Sequence, residues 1–176
     1  ILLGLVGSEM CIRDRFYAPQ DAARAWREHL EDCIRSITWV ATIDAFQHEI
    51  YRNPNLDRDG RTALWLDLDQ RFGVPCDWSG LEDIRKMQWQ RQLHLFEVPF
   101  YYIEYGIAQL GALQLWQRST SDHAGALNDY KSALRLGGSK PLPELFAAAG
   151  IPFDFSPSTV RRVGDTVAAE LDALAL

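Results

Sequence analysis

Residues 21–51, DAARAWREHLEDCIRSITWVATIDAFQHEIY, contain neither proline nor glycine and follow Pro19, which suits the first turn of a helix. Trp26, Leu30, Cys33 or Ile34, Ile37 and Ala41 recur at helical spacing, and Trp39, Ile43, Phe46 and Ile50 widen the apolar stripe. This pattern predicts one long helix whose second half is surrounded by other helices. Asn53-Pro54-Asn55 ends it. Outward from there, Thr62 to Phe72 reads as a shorter helix stopping near Gly73. Ser79 with Glu82 reads as a capping box for a helix through about Gln92. A further helix is expected from near Pro99 to about Arg118. Another runs from Ser121 to Leu136, closed by a left-handed C-cap at Gly137-Gly138. Pro143 and Glu144 begin a short helix ending before Gly150. Ser156-Pro157 supplies an N-cap and first-turn proline for a final amphipathic helix toward Leu176. With no strand ladder and no repeat of fixed length, the fold class is all-α, a multi-helix bundle forming part of a larger one.

Composition narrows the function. The 176 residues, 47% hydrophobic, suffice for one core. A formal charge of −6 without a Lys/Arg block argues against nucleic acid. Cys11, Cys33 and Cys76 are odd in number and form no CxxC pair, which fits a reducing cytoplasm. No apolar run approaches the roughly 20 residues needed to span a bilayer, so no membrane association is expected. Residues 1–15 form a segment of another kind. Ser8-Glu9-Met10-Cys11-Ile12-Arg13-Asp14-Arg15 resembles a translated sequencing-adapter string, and residues 1–15 are read as a non-native segment, the alternative being a natural but poorly ordered terminus.

Chemistry concentrates in His94-Leu95-Phe96-Glu97-Val98-Pro99-Phe100-Tyr101-Tyr102-Ile103-Glu104-Tyr105-Gly106. If a helix begins near Pro99, Tyr101 and Tyr105 are one turn apart. Both phenols could then donate to a carbonyl oxygen gaining negative charge, with a neutral His94 assisting or orienting the substrate. The competing reading makes all three core or interface residues, since tyrosine packs well with its hydroxyl at an edge. Asp44 and His48, four apart, read as a local structural pair. His48-Glu49-Ile50-Tyr51-Arg52 begins like HExxH but has Arg52 where the second histidine belongs, so no metal ligand is assigned. Gly137-Gly138-Ser139-Lys140 lacks the full GxxxxGK[ST] order and reads as an interhelical turn, with Lys140 an uncommitted surface charge. No nucleophile elbow is present to suggest a serine hydrolase.

Taken together, Trp89-Gln90-Arg91-Gln92-Leu93-His94-Leu95-Phe96, Pro99-Phe100-Tyr101-Tyr102 and Gly111-Ala112-Leu113-Gln114-Leu115-Trp116 carry a resemblance. So do Leu136-Gly137-Gly138-Ser139-Lys140-Pro141 and Ala149-Gly150-Ile151, and, more loosely, His29-Leu30-Glu31-Asp32 and Phe46-Gln47-His48-Glu49. In this order the segments resemble the carboxyl-terminal part of the oligoendopeptidase F branch of the M3 zinc metallopeptidases, over residues 18 to 174. The resemblance implies a mostly helical, cytoplasmic zinc endopeptidase acting on short peptides in a deep channel. In that family an upstream HExxH and a later glutamate hold Zn2+, and the motif glutamate activates the metal-bound water. Carried over by motif, His94, Tyr101 and Tyr105 are the catalytic and substrate-binding candidates, with Tyr102 a fourth substrate-binding residue.

The chain departs from the family by lacking HExxH and the later glutamate in its expected context. Residues 16–176 are therefore read as the carboxyl-terminal helical part of a peptidase catalytic domain. Its partner would be the missing amino-terminal part of the same polypeptide, and the chain alone is expected to hold no zinc and cleave no peptide. Two rival readings are a noncatalytic helical module binding a peptide or protein in a groove lined by Tyr101 and Tyr105, and a helical structural domain.

Overall fold

The computed structural model describes residues 17–174. The adapter reading of residues 1–15 lies outside them. In chain order the helices are α1 Pro19–Arg52, α2 Arg58–Phe72, α3 Glu82–Met87, a 3-10 turn Gln88–Arg91, α4 His94–Glu97, α5 Ile103–Ser121, α6 His123–Leu136, α7 Leu142–Ala148 and α8 Pro157–Ala173. No strand occurs among the described residues, so the all-α expectation holds.

The 34-residue α1 follows from the proline- and glycine-free run. Its polar side is laced by pairs one turn apart, Arg24 with Asp21, Arg27 with Glu31, Arg35 with Asp32 and Arg52 with Glu49. Between the two sequence alternatives, Cys33 is buried and Ile34 is exposed. Val40, rather than the expected Ala41, is fully buried next along the stripe.

The described residues divide into two units, one of Asp32–Gly106 and the other of those up to Glu31 together with those from Ile107 onward. The Asp32–Gly106 unit has a core of Ile43, Phe46, Trp65, Leu68, Trp89 and Leu95, with Trp39, Ile50, Phe72 and Tyr102 packed against it. Phe46 meets Trp65 edge-on at 5.6 Å and lies tilted against Trp89 at 5.4 Å. Such aromatic pairs add about 0.5–1.5 kcal/mol beyond their buried area. Buried Trp65 donates to the Arg85 carbonyl at 3.0 Å, while Arg85 Nε donates to Asp69 Oδ2 at 2.6 Å. These contacts attach α3 to α2.

Boundaries in this unit differ from expectation, and the helix expected through about Gln92 ends at Met87, followed by the 3-10 turn. Helix α2 starts before Thr62 because Asp57 caps it by accepting the Gly60 N–H at 2.8 Å. The Ser79 capping box does not form. Gly80 adopts φ 78°, and its own N–H donates to Glu82 Oε1 at 3.1 Å. Ser79 instead donates its N–H and hydroxyl to Asp77, and α3 begins after Leu81 without a side-chain cap.

In the other unit, Leu115, Ala126, Tyr130, Phe146, Ala149 and Ile151 form the core, with Ile107 and Ala133 against it. Gly111 allows α5 and α7 to approach, since a Cβ there would meet Phe146 Cζ at 2.7 Å. Arg118 ties α5 to its neighbours by pairing with Asp129 at 2.6 Å and donating to the Ala149 carbonyl at 3.0 Å. Trp26 Nε1 donates to Glu170 at 2.9 Å, and its ring meets Trp116 edge-on. Ser121 closes α5 rather than opening α6, because Asp122 accepts the Gly125 N–H and sets the α6 start. Ser156 caps α8 as read from sequence. Gly137 does take positive φ, but at φ 53°, ψ −133° it is not the left-handed helical conformation expected.

Candidate active site

The segment from Gln92 to Tyr105 is not one helix. After the 3-10 turn, α4 lasts four residues and ends at Val98, and α5 starts only at Ile103. Phe100, between them, has φ 60°, a left-handed conformation costly for a side chain of its size. Buried Gln47 holds it, accepting the Phe100 N–H at 2.8 Å, while the Phe100 ring packs against His48 and Tyr51. Tyr101 N–H then donates to the Val98 carbonyl at 3.2 Å. The first turn of α5 lies against α1, where a Cβ on Gly106 would come within 3.0 Å of Val40 Cγ1.

This reversal gathers the four candidate side chains. The His94 ring stacks on Tyr101 at 6.2 Å and 11°, and meets Tyr102 at 4.8 Å and Tyr105 at 5.7 Å, both edge-on. Tyr105 lies 5.9 Å from Tyr101 and 5.0 Å from Tyr102. Tyr101 and Tyr105 are neighbours as expected, but the route differs. Tyr101 precedes α5, so a turn rather than one helical turn brings it to Tyr105. Tyr101 is 47% exposed, leaving the cluster open on that side.

Beneath the rings runs a polar chain that spacing did not reveal. Trp39 Nε1 donates to Gln92 Oε1 at 3.4 Å. Gln92 Nε2 lies 2.7 Å from His94 Nδ1, and His94 Nε2 lies 3.4 Å from the Tyr105 hydroxyl. Gln92 stood in the quoted motif without a role, and Trp39 is 53 positions away, read only as part of an apolar stripe. Burial pushes the Tyr102 phenol above its ordinary pKa, against the opposing pull of hydrogen bonds from Trp39 and Gln92. Burial thus favours the neutral Tyr102 phenol over the phenolate.

The remaining candidates lie apart from this chemistry. Asp44 and His48 form their expected pair at 3.5 Å, and Arg52 pairs with Glu49. Lys140, expected to be uncommitted, pairs with Glu144 at 3.2 Å. The Ser139 hydroxyl donates to the Leu136 carbonyl, so the Gly137-Gly138 segment is an interhelical turn. Among the described residues, no three His, Cys, Asp or Glu side chains converge as a metal site, and no helix is long and apolar enough to cross a membrane.

A model of the sequences described as Peptidase family M3 matches residues 15–164. The chain belongs to peptidase family M3. Solved structures place this M3 peptidase chain further. It is 34% identical to PZ peptidase A, solved with an inhibitor, at a TM-score of 0.78 over 87% of this chain and 27% of that one. A protein designated oligoendopeptidase F is 33% identical, with a TM-score of 0.71 over 86% and 27% of the two chains. Another so designated, from Bacillus anthracis str. Ames, is 26% identical, with a TM-score of 0.66 over 89% and 25%. The M3 chain therefore spans about a quarter of the length of each of these structures. None of the curated proteins matches it.

Proposed function

We propose that this M3 chain is the carboxyl-terminal fragment of a zinc-dependent oligoendopeptidase that hydrolyses internal bonds of short peptides. It supplies the substrate-binding and oxyanion-stabilising wall. The carrying observation is the convergence of Tyr101, Tyr102 and Tyr105 on His94 beside an open face. When water adds to a peptide carbonyl, the oxygen becomes a tetrahedral oxyanion. Fixed hydroxyl donors stabilise that charge more than they stabilise the neutral carbonyl. Tyr105 is assigned this donation, His94 supports it, and Tyr101 and Tyr102 hold the peptide.

The described residues do not fit a zinc site, because Asp44 and His48 are a pair without a third ligand. No step of this reading runs through zinc in this chain. Its ligands are assigned to the amino-terminal part of the same polypeptide, which is the partner this reading requires. The exposed Cys76 thiol suits a reducing, cytoplasmic location.

The test is Tyr105→Phe in the complete peptidase. Loss of an oxyanion donor costs about 3 kcal/mol, on the order of a hundredfold in kcat. Zinc content should stay the same. Unchanged peptide kinetics would remove Tyr105 from the role and favour a noncatalytic peptide-binding wall. Parallel loss of zinc would point to disruption of the shared fold.

A further inference from the structure

We propose that Gln92, anchored by Trp39, is a positioning residue that holds His94 as the Nε2–H tautomer and so leaves the Tyr105 hydroxyl proton for the substrate. This rests on the reading of Tyr105 as an oxyanion donor. An indole nitrogen can only donate. Trp39 Nε1, which also donates to the Tyr102 oxygen, faces the Gln92 side-chain amide at 3.4 Å, and an oxygen at that end of the amide gives the shared N–H a second acceptor. The opposite orientation would set two donors against each other. The NH2 end of Gln92 is thereby turned to His94 Nδ1, 2.7 Å away, and donates to it.

A neutral imidazole carries one N–H. With Nδ1 accepting, the proton resides on Nε2, which faces the Tyr105 oxygen at 3.4 Å and donates to it. The Tyr105 hydroxyl is left with its own hydrogen unspent inside the protein. Hydrogen bonds linked in such a chain polarise one another, and accepting from His94 makes Tyr105 a better donor. In the other tautomer Nε2 would accept, drawing the Tyr105 proton away from the peptide. The whole chain of contacts lies within the Asp32–Gly106 unit.

Imidazole 15N–1H correlation spectra of the purified chain read the tautomer directly, at a pH where imidazole is neutral. His94 is assigned by loss of its signals in His94→Gln. The expected result is the Nε2–H pattern in the unaltered chain. Gln92→Glu replaces the donor facing Nδ1 with an acceptor and should move His94 to the Nδ1–H or doubly protonated pattern. Trp39→Phe keeps an aromatic ring but releases the amide, and should produce a mixture of tautomers. An Nδ1–H pattern in the unaltered chain overturns the proposal without reliance on any variant. So does a folded Gln92→Glu chain that keeps the Nε2–H pattern. Because no turnover is needed, an unchanged rate for Tyr105→Phe in the complete peptidase would sink the oxyanion assignment and not the tautomer.

Discussion

Gln47 Oε1 accepts the backbone N–H of Phe100 at 2.8 Å across 53 positions of sequence, and this bond pins a residue at φ 60°. Gln47 is 1% exposed, while its Nε2 finds no hydrogen-bond partner among the described residues. Replacing it by Met should remove the acceptor yet recover some of the cost of that unpaired amide. A buried donor left unmade costs about 1–3 kcal/mol, so the net loss belongs near the lower end. A urea midpoint unchanged from the parent chain would show that the Phe100 turn holds without Gln47.

Gly111→Ala tests a different constraint. Alanine is the better helix former by about 1 kcal/mol, but its methyl would lie 2.7 Å from Phe146 Cζ and 2.9 Å from Cε1. Overpacking a dense core costs about 1–3 kcal/mol and should prevail, lowering the melting temperature. Combining it with Phe146→Leu should recover part of the loss. A stabilised single variant would contradict the close approach of α5 and α7.

Acid should loosen the start of α8. The Thr159 hydroxyl first, then the Ser156 N–H and hydroxyl, hydrogen-bond the Asp154 carboxylate and hold its pKa below the ordinary 3.8. A depressed folded-state pKa means this contribution is present above 3.8 and is lost as pH falls through the lower folded value. Asp154→Asn should remove that acid-sensitive part. Amide exchange at Ser156 and Thr159 across this pH range checks it, and identical acid profiles for both chains would refute it.

Tyr102 should behave oppositely in base. Its raised folded-state pKa makes its contribution complete below the ordinary value of 10.0 and lost as pH rises through the higher folded value. Phenolate absorbance should show a late-ionising tyrosine that disappears in Tyr102→Phe. Retention of the late component in that variant would assign it to another phenol.

Purified, this chain should release no product from short peptides and take up no stoichiometric zinc. Mass spectrometry of incubated peptides and elemental analysis of the chain measure both. Hydrolysis abolished by a chelator would place a working metal site within these residues and overturn the division of labour proposed for the complete peptidase.

Much of the fold was legible because helix formation is local. The run from Asp21 to Tyr51, the Ser156-Pro157 cap and the terminating glycines act through neighbours three or four residues away, and α1 and α8 follow them closely. Ser79 misled because capping depends on the backbone angles of the next residue. Gly80 could turn the Glu82 carboxylate to its own N–H. Among the candidate residues, His94, Tyr101, Tyr102 and Tyr105 could be singled out by type and order. A start of α5 at Pro99 could not be corrected from periodicity, since the strained Phe100 depends on a glutamine from another helix.

By itself the sequence determined the all-α class, the long first helix, the family and the segment in which the polar aromatics lie. Only the tertiary structure decided that Phe100 turns the chain at positive φ, that Cys33 rather than Ile34 is buried, and that Trp39 contacts Gln92. The reason is range. Helical periodicity is written in residues one turn apart, whereas an amide's orientation and an imidazole's proton depend on donors and acceptors that come together only when distant segments pack.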